Sequence, residues 1–414
     1  MNILLSVTSL LLSTALLLIG HGMQLTLLPL RATEAGMASS LIGLSASCYF
    51  IGFAAGCFGI PPVLARIGHI RAFAVLAALM ISAILCLEMI AAWPAWLVLR
   101  FVTGIAMSGL YAVIESWLNN RATQGSRGRI LALYTFISLF SLTAGQLLIN
   151  VGPVQNAEPF MLAALCMALA ILPIGLTRRL APEPVEPTHT GFSLLVQRSG
   201  AAFAGALLSG LMMGSFWSLG ALFARQNLPE QIGATTFMSV ALAGGALMQY
   251  PIGWLSDRID RRRVLLLLCL GAAFASLAVA AAPPQPWLLP AVFLFGATAM
   301  PLYAISLATA ADVCEWHEFV EIGTTVLMLN AVASAVAPLA LGPLMTRYDD
   351  SVLFTALAAT CAGFAVYFTV NLRTPRSVSV EAQRPFEPAV DTGAPTGFEL
   401  DPRTEETIPD PDTP

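Results

Sequence analysis

Arg100 stands inside an apolar stretch, and the helical step from it picks out Gly104, Ser108, Tyr111 and Glu115. At 3.6 residues per turn these five positions share one face of a helix, mostly small or polar, of the kind that lines an aqueous cavity. A charged side chain in the middle of a lipid-crossing helix costs roughly 2.5–3.5 kcal/mol on insertion scales, so Arg100 needs water or a partner. The chemistry on offer is charge recognition or ion coupling, not bond making. Glu88 lies six residues before Pro94 and Arg100 six after it, so an antiparallel helix pair turning at Pro94 brings the two to similar depth. Glu88 is therefore expected either to pair with Arg100 or to snorkel to the interface.

His21 and Gln24 sit one turn apart on the first apolar run. With an ordinary pKa near 6.5, His21 either carries a proton or stays neutral and hydrogen-bonded within the bundle. Tyr134, Gln146, Gln249 and Asn330 offer hydrogen bonds to a ligand or to a neighbouring helix. In the second half of the chain the stripe matching Arg100 reads Val292, Gly296, Met300, Tyr303 and Leu307, without charge. Charge recognition or coupling thus belongs to the first half. Trp217 and Tyr303, with Phe216 and Met213, form either an aromatic wall of the site or ordinary packing. No nucleotide-binding loop, metal motif or nucleophile elbow occurs, so the chain does not read as an enzyme and no cofactor is expected. Seven Cys without paired spacing indicate no disulfide framework.

The elements that must position these residues are apolar helices. The chain is 57% hydrophobic and 11% charged, with a mean hydropathy of +0.78, far from the composition of soluble domains. Runs of about 20 apolar residues fall near 6–30, 39–64, 72–92, 94–118, 129–151, 158–177, 200–223, 231–255, 263–282, 286–311, 322–346 and 351–371. The first has no positive n-region and overruns a signal-peptide core, so it reads as a span. The expectation is an all-α membrane protein with twelve transmembrane helices in two pseudo-symmetric six-helix bundles.

An offset of 192 residues relates the two halves: Arg66 and Arg71 match Arg258 and Arg263, Pro94 matches Pro286, Gly104 matches Gly296, and Leu110-Tyr111-Ala112 matches Leu302-Tyr303-Ala304. Such repeats are the mark of transporters built from parallel halves. The expected domains are 1–177, an amino-terminal bundle; 178–199, a Pro-rich cytoplasmic linker; 200–371, a carboxy-terminal bundle; and 372–414, an acidic tail too polar to fold. Twelve loop Arg on one side against three on the other put both termini in the cytoplasm.

Gly253-x-x-x-Asp257-Arg258-x-x-Arg261-Arg262 resembles the cytoplasmic signature of the major facilitator superfamily, and Arg100-x-x-x-Gly104 resembles its intramembrane Arg-Gly motif. Gly68-His69-Ile70-Arg71 and Glu115-Ser116-Trp117-Leu118-Asn119 are similar to the bacterial YcaD-like branch. The resemblance implies a secondary transporter in a bacterial inner membrane, moving a small organic solute by alternating access, with protons as the expected coupling ion. The expected partners are that solute, protons and the bilayer, with no nucleic acid, and the chain is expected as a monomer. Pro61 and Ala65 stand where the signature has Gly and Asp, and the fifth span lacks the glycine run of drug and proton antiporters. Efflux of amphipathic compounds and a non-transporting sensor or assembly role stay open as alternatives.

Charge also predicts a cytoplasmic gate. Arg66, His69 and Arg71 face, across the pseudo-twofold, the acidic Glu315 and Glu318, while Asp257, in the block with Arg258, faces Arg127 or Arg129. The alternative is solvated charge that only sets topology.

Overall fold

The computed structural model describes residues 2–90, 92–121, 127–176, 191–228, 233–281, 287–314, 318–374 and 378–386. In lipid each backbone polar group needs a partner within its own segment, which leaves helices as the solution for apolar runs of this length. The helices are α1 (Asn2–Glu34), α2 (Ser39–Ile67), α3 (His69–Met89), α4 (Trp93–Arg121), α5 (Arg127–Leu148), α6 (Glu158–Leu169) and α7 (Ile171–Gly175) in the first half. Short α8 (Phe192–Arg198) lies in the linker. In the second half come α9 (Gly200–Asn227), α10 (Gly233–Ser256), α11 (Arg261–Ala281), α12 (Leu288–Ala299), α13 (Pro301–Ala311), α14 (Phe319–Arg347) and α15 (Val352–Asn371).

Among the described residues, eleven helical segments are long and apolar enough to cross a membrane, against the twelve expected. The difference is α10, which has 24 residues but carries Thr235, Thr236, Ser239, Gly244, Gly245 and Gln249 along its length. Small and polar residues lower its hydropathy without shortening it. Two spans are broken: Pro301, with no N–H to donate, separates α12 from α13, and α7 continues α6 after Ala170. Between α2 and α3 the chain turns at Gly68, whose φ of 78° lies in the region glycine favours.

The 192-residue offset recurs in three dimensions. A Cβ on Gly52 would overlap the carbonyl of Phe101, and one on Gly104 the carbonyl of Tyr49, so α2 and α4 cross backbone to backbone. The same pair of contacts joins α10 to α12 through Gly244 beneath Phe293 and Gly296 beneath Ala241, each residue 192 positions later. Likewise Gly22 lies against Leu142 where α1 meets α5, and Gly214 against Ser334 where α9 meets α14. Lipid tails are as apolar as Leu, so close backbone approach and dispersion, not burial from water, hold such pairs together.

The helices run between an Arg-rich end, with Arg66, Arg71, Arg258 and Arg261–Arg263, and an opposite end. α1 and α9 are the most buried spans. Phe136, Phe140, Phe274 and Val366 stay exposed on outer helices, as a lipid-facing surface requires. Described polar contacts between the halves gather at the opposite end: Arg225 to Glu34 at 3.1 Å, the Ser40 amide donating to Thr346 Oγ1 at 3.1 Å, and Asn150 Nδ2 donating to Thr235 Oγ1 at 3.3 Å.

The expected tail needs a correction. α15 ends at Asn371, but residues 378–386 dock against the Arg-rich end. The amide of Phe386 donates to Asp257 at 2.9 Å, that of Arg384 donates to Asp312 at 3.0 Å, and the Phe386 ring lies on Gly253. Carboxylates that accept two main-chain N–H groups supply the partners a polar tail lacks in isolation. Residues 387–414 lie outside the described residues.

Candidate functional site

Several buried hydroxyls in the spans are satisfied by their own helix: Thr14, Ser47, Ser215 and Ser306 each donate to a carbonyl one turn back. The longer polar side chains are not. His21 Nδ1, both amide atoms of Gln24, Arg100 Nη1, both amide atoms of Gln146, Trp217 Nε1 and Asn330 Nδ2 are buried without a hydrogen-bond partner. Each such group forfeits the hydrogen bonds it had in water, so a cluster of them marks a place where the protein is incomplete by itself.

Most of these groups gather where α1, α2 and α4 meet α9 and α14. The Arg100 guanidinium lies over the Tyr49 ring, 4.5 Å from its centre. Tyr49 Oη approaches His21 Nε2 at 3.5 Å, and the two rings stack. Two small cavities, each about 20 Å³, flank this group. One is bordered by Arg100, Trp93, Trp96, Trp217 and residues of α1 and α2. The other is bordered by Tyr49, Phe50, Phe53, Trp217 and Asn330. Trp217 borders both, so an α9 side chain joins a space enclosed from both halves. Gln146, on α5, borders neither.

Of the two expectations for Glu88, the pair with Arg100 is absent from this conformation. Glu88 Oε1 instead accepts from Arg31 Nη2 at 3.2 Å, at the opposite end of the molecule. Arg31 ends α1 and is partly exposed, so the pair forms where water reduces the cost of both charges. Nor does the α4 stripe line open water. Gly104 is pressed on α2, Ser108 contacts Cys57 Sγ at 3.3 Å, and Tyr111 meets Phe53 edge to face. Its small residues serve the α2–α4 crossing. Glu115, 2% exposed, accepts from Tyr134 Oη at 3.2 Å. Tyr303 packs in a separate apolar cluster with Ala202, Ala206 and Ile322, and Gln249 is buried on α10.

The gate residues pair differently from the expectation. Arg261, 1% exposed, donates to Asp257 at 3.1 Å, Asp312 at 2.6 Å, the Ala308 carbonyl at 2.9 Å and the carbonyl of Arg384. Asp257 is thus held within its own half, and Glu318 pairs with Arg198 of the linker helix α8 at 2.7 Å. Arg258 stacks on Trp254. His69 is buried against Ser116 at 2.9 Å, while Arg66 and Arg71 are exposed and make no ion pair among the described residues. Glu315 and the side chains of Arg127 and Arg129 lie outside the described residues. Sequence reasoning missed Arg261 as the hub because its partner Asp312 is 51 positions away. Burial drives the Asp312 carboxyl above the ordinary carboxylate range, against the opposing pull of Arg261 and Arg384.

The sequence profile of the Major Facilitator Superfamily matches residues 10–320. The chain belongs to the major facilitator superfamily. It is a multi-span membrane transporter of that family and is similar to YcaD, an uncharacterized MFS-type transporter. The Escherichia coli protein is 27% identical over 360 residues, covering 86% of this chain and 93% of YcaD, and the Salmonella typhi protein matches over the same shares. Solved members share the fold. The nucleoside transporter NupG superposes with a TM-score of 0.72 at 13% identity, over 90% of this chain and all of NupG. A bacterial homologue of the human lysosomal transporter Spinster, in an inward-facing and unoccupied conformation, has a TM-score of 0.65 at 15% identity, over 98% of each chain. In this superfamily member the Arg-rich cluster around Arg261, the buried polar group around Arg100 and the Glu115 carboxylate are among the described places where charge enters the helical core.

Proposed function

We propose that the chain is a secondary active transporter that carries a small organic solute across a bacterial inner membrane, with both termini in the cytoplasm. Two six-helix bundles, 1–177 and 200–371, rock about the space between them, and the linker 178–199 joins them. α10 is the twelfth span in this reading, supported by its length and by the glycine contacts it shares with α2. The observation that carries the proposal is the set of buried, unpartnered polar groups contributed by α1, α4, α9 and α14 around the cavities at Trp217. Groups so placed are poised to gain hydrogen bonds when a ligand enters.

In this reading the contacts Glu34–Arg225 and Ser40–Thr346 close the outer side, and the Arg-rich end is the cytoplasmic gate. Each exposed pair contributes about 0–1 kcal/mol, enough in combination to bias two states of similar energy. Glu115, a buried carboxylate in the first half, is the proposed proton carrier, with Tyr134 as its hydrogen-bond donor. His21 and Gln24 complete the polar side of the site.

A disulfide between Ser40→Cys and Thr346→Cys should hold the outer side shut and stop net flux in proteoliposomes, with reduction restoring it. Undiminished flux through the cross-linked protein would contradict alternating access. Proton coupling predicts that Glu115→Gln loses accumulation driven by a pH gradient yet keeps solute exchange; accumulation equal to that of the parent protein removes Glu115 from the proton path.

A further inference from the structure

The formal charge in the buried polar group around Arg100 has one sign. Arg100 Nη1, Trp217 Nε1 and Asn330 Nδ2 are hydrogen-bond donors without acceptors, and the residues Arg100 and Trp217 border the same cavity. No described carboxylate is near enough to answer them. Glu88 is engaged by Arg31. Glu115 lies fifteen residues further along α4, about 22 Å at 1.5 Å per residue, beside Tyr134. The only described partner of the Arg100 guanidinium is the face of Tyr49. A cation–π contact fixes the plane of the guanidinium but uses none of its N–H groups, so the forked edge stays open to an acceptor.

We infer that the transported solute is an organic monoanion, a carboxylate on an aromatic or similarly flat apolar body, and that Arg100 binds its charged group. The inference rests on the reading that the space at Trp217 is the transport site. A planar carboxylate matches the guanidinium fork through two parallel hydrogen bonds. One buried cation without a counter-charge is neutralised by one negative charge, which favours a monoanion over a dianion. A cationic solute would add like charge to the site, and a neutral one would leave Arg100 uncompensated. The body of the solute is specified by the walls: Tyr49, Phe50, Phe53 and Trp217 on one side, and Trp96 on the other. Trp217 spans both cavities, so its ring stacks with the apolar body while its indole N–H joins Arg100 at the carboxylate. The cavities as they stand hold about one water each, so the solute enters as the halves separate and its charge is then enclosed.

The test uses the full-length purified protein and three probes of nearly equal shape: phenylacetate, phenylacetamide and phenethylamine. Binding is read from thermal midpoint and from tryptophan fluorescence, and flux from proteoliposomes. The expected result is that phenylacetate binds at least tenfold more tightly than the amide or the amine, that Arg100→Gln abolishes this preference, and that Arg100→Lys retains part of it. Equal binding of acid and amide, no binding of the acid, or an acid preference that survives in Arg100→Gln overturns the inference. Selectivity of the parent protein decides the matter even if a variant fails to fold. If the amine or amide binds and is carried, the anion assignment falls while the transport reading stands. If phenylacetate binds through Arg100 and crosses even with the Ser40–Thr346 disulfide in place, the anion site stands and the transport reading falls.

Discussion

Arg261 and Arg100 are both more than nine-tenths buried, yet the protein treats them in opposite ways. Arg261, at the end of the bundle, meets two carboxylates and two carbonyls. Arg100, two turns inside a span, meets one aromatic ring and leaves Nη1 unpartnered. Both bear the cost of desolvation. Arg261 recovers it from carboxylates within the chain, whereas Arg100 has no described carboxylate beside it, which is the basis of the proposed ligand site. Both guanidiniums keep one unpartnered nitrogen, Nε in Arg261 and Nη1 in Arg100, so what separates them is the pair of carboxylates that only Arg261 has.

The contrast is sharpest in stability. Arg261→Met leaves Asp312 buried without its guanidinium, which should cost about 3–5 kcal/mol and appear as a large drop in thermal midpoint in detergent. A variant that melts with the parent protein would show that the Arg261 network is ornamental. Ending the chain after residue 377 removes the two amides that Asp257 and Asp312 accept and the carbonyl that Arg261 reaches. With three hydrogen bonds to charged groups lost, the cost should be at least the roughly 1.5–3 kcal/mol of one such bond, together with faster hydrogen exchange over residues 257–263. Unchanged exchange there would mean that the docked segment adds nothing to the cluster.

A smaller effect concerns pH. Because the folded-state pKa of Asp312 is raised, the folded protein binds this proton more readily than the unfolded chain does. Stability from this group is therefore present in acid and falls as pH rises from the ordinary carboxylate range through the raised value. Asp312→Asn should flatten that slope, measured as thermal midpoint against pH; an identical slope would assign it to another group. The smallest effect should be that of Arg100→Gln on folding, within about 1 kcal/mol or even stabilising, because it removes a charge with no counter-charge. If it melts as early as Arg261→Met, then Arg100 has a structural partner and the contrast fails.

Much of the architecture was legible in the residue order. The 192-residue offset seen in Gly104 and Gly296 reappears as the same helix crossing in both halves, and the apolar runs became helices close to the expected bounds. Hydropathy and repetition are one-dimensional properties, so they survive without knowledge of packing. α10 shows their limit, since a helix lined with Gly, Thr and Gln is long enough to span yet reads weakly in hydropathy. The site was legible as a list but not as a set of pairs. Arg100, His21, Trp217 and Asn330 were recognisable as costly or unusual in a span, whereas equal depth left Glu88 open between a pair with Arg100 and a place at the interface. Depth follows from counting residues, but pairing depends on the rotation of each helix, and in the structure Glu88 meets Arg31 from α1.

The order of residues by itself determined that this is a helical membrane protein with two related halves, because lipid leaves a long apolar run no other way to satisfy its backbone. The motifs around Asp257 and Arg100 added the superfamily. Only the tertiary structure decided that the α4 stripe faces α2, that residues 378–386 complete the cluster at Arg261, and that Arg100 is left with an aromatic ring in place of an acid. Those outcomes depend on which helix faces meet across the bundle, and that is set by close packing at glycines such as Gly52 and Gly104, not by spacing along the chain.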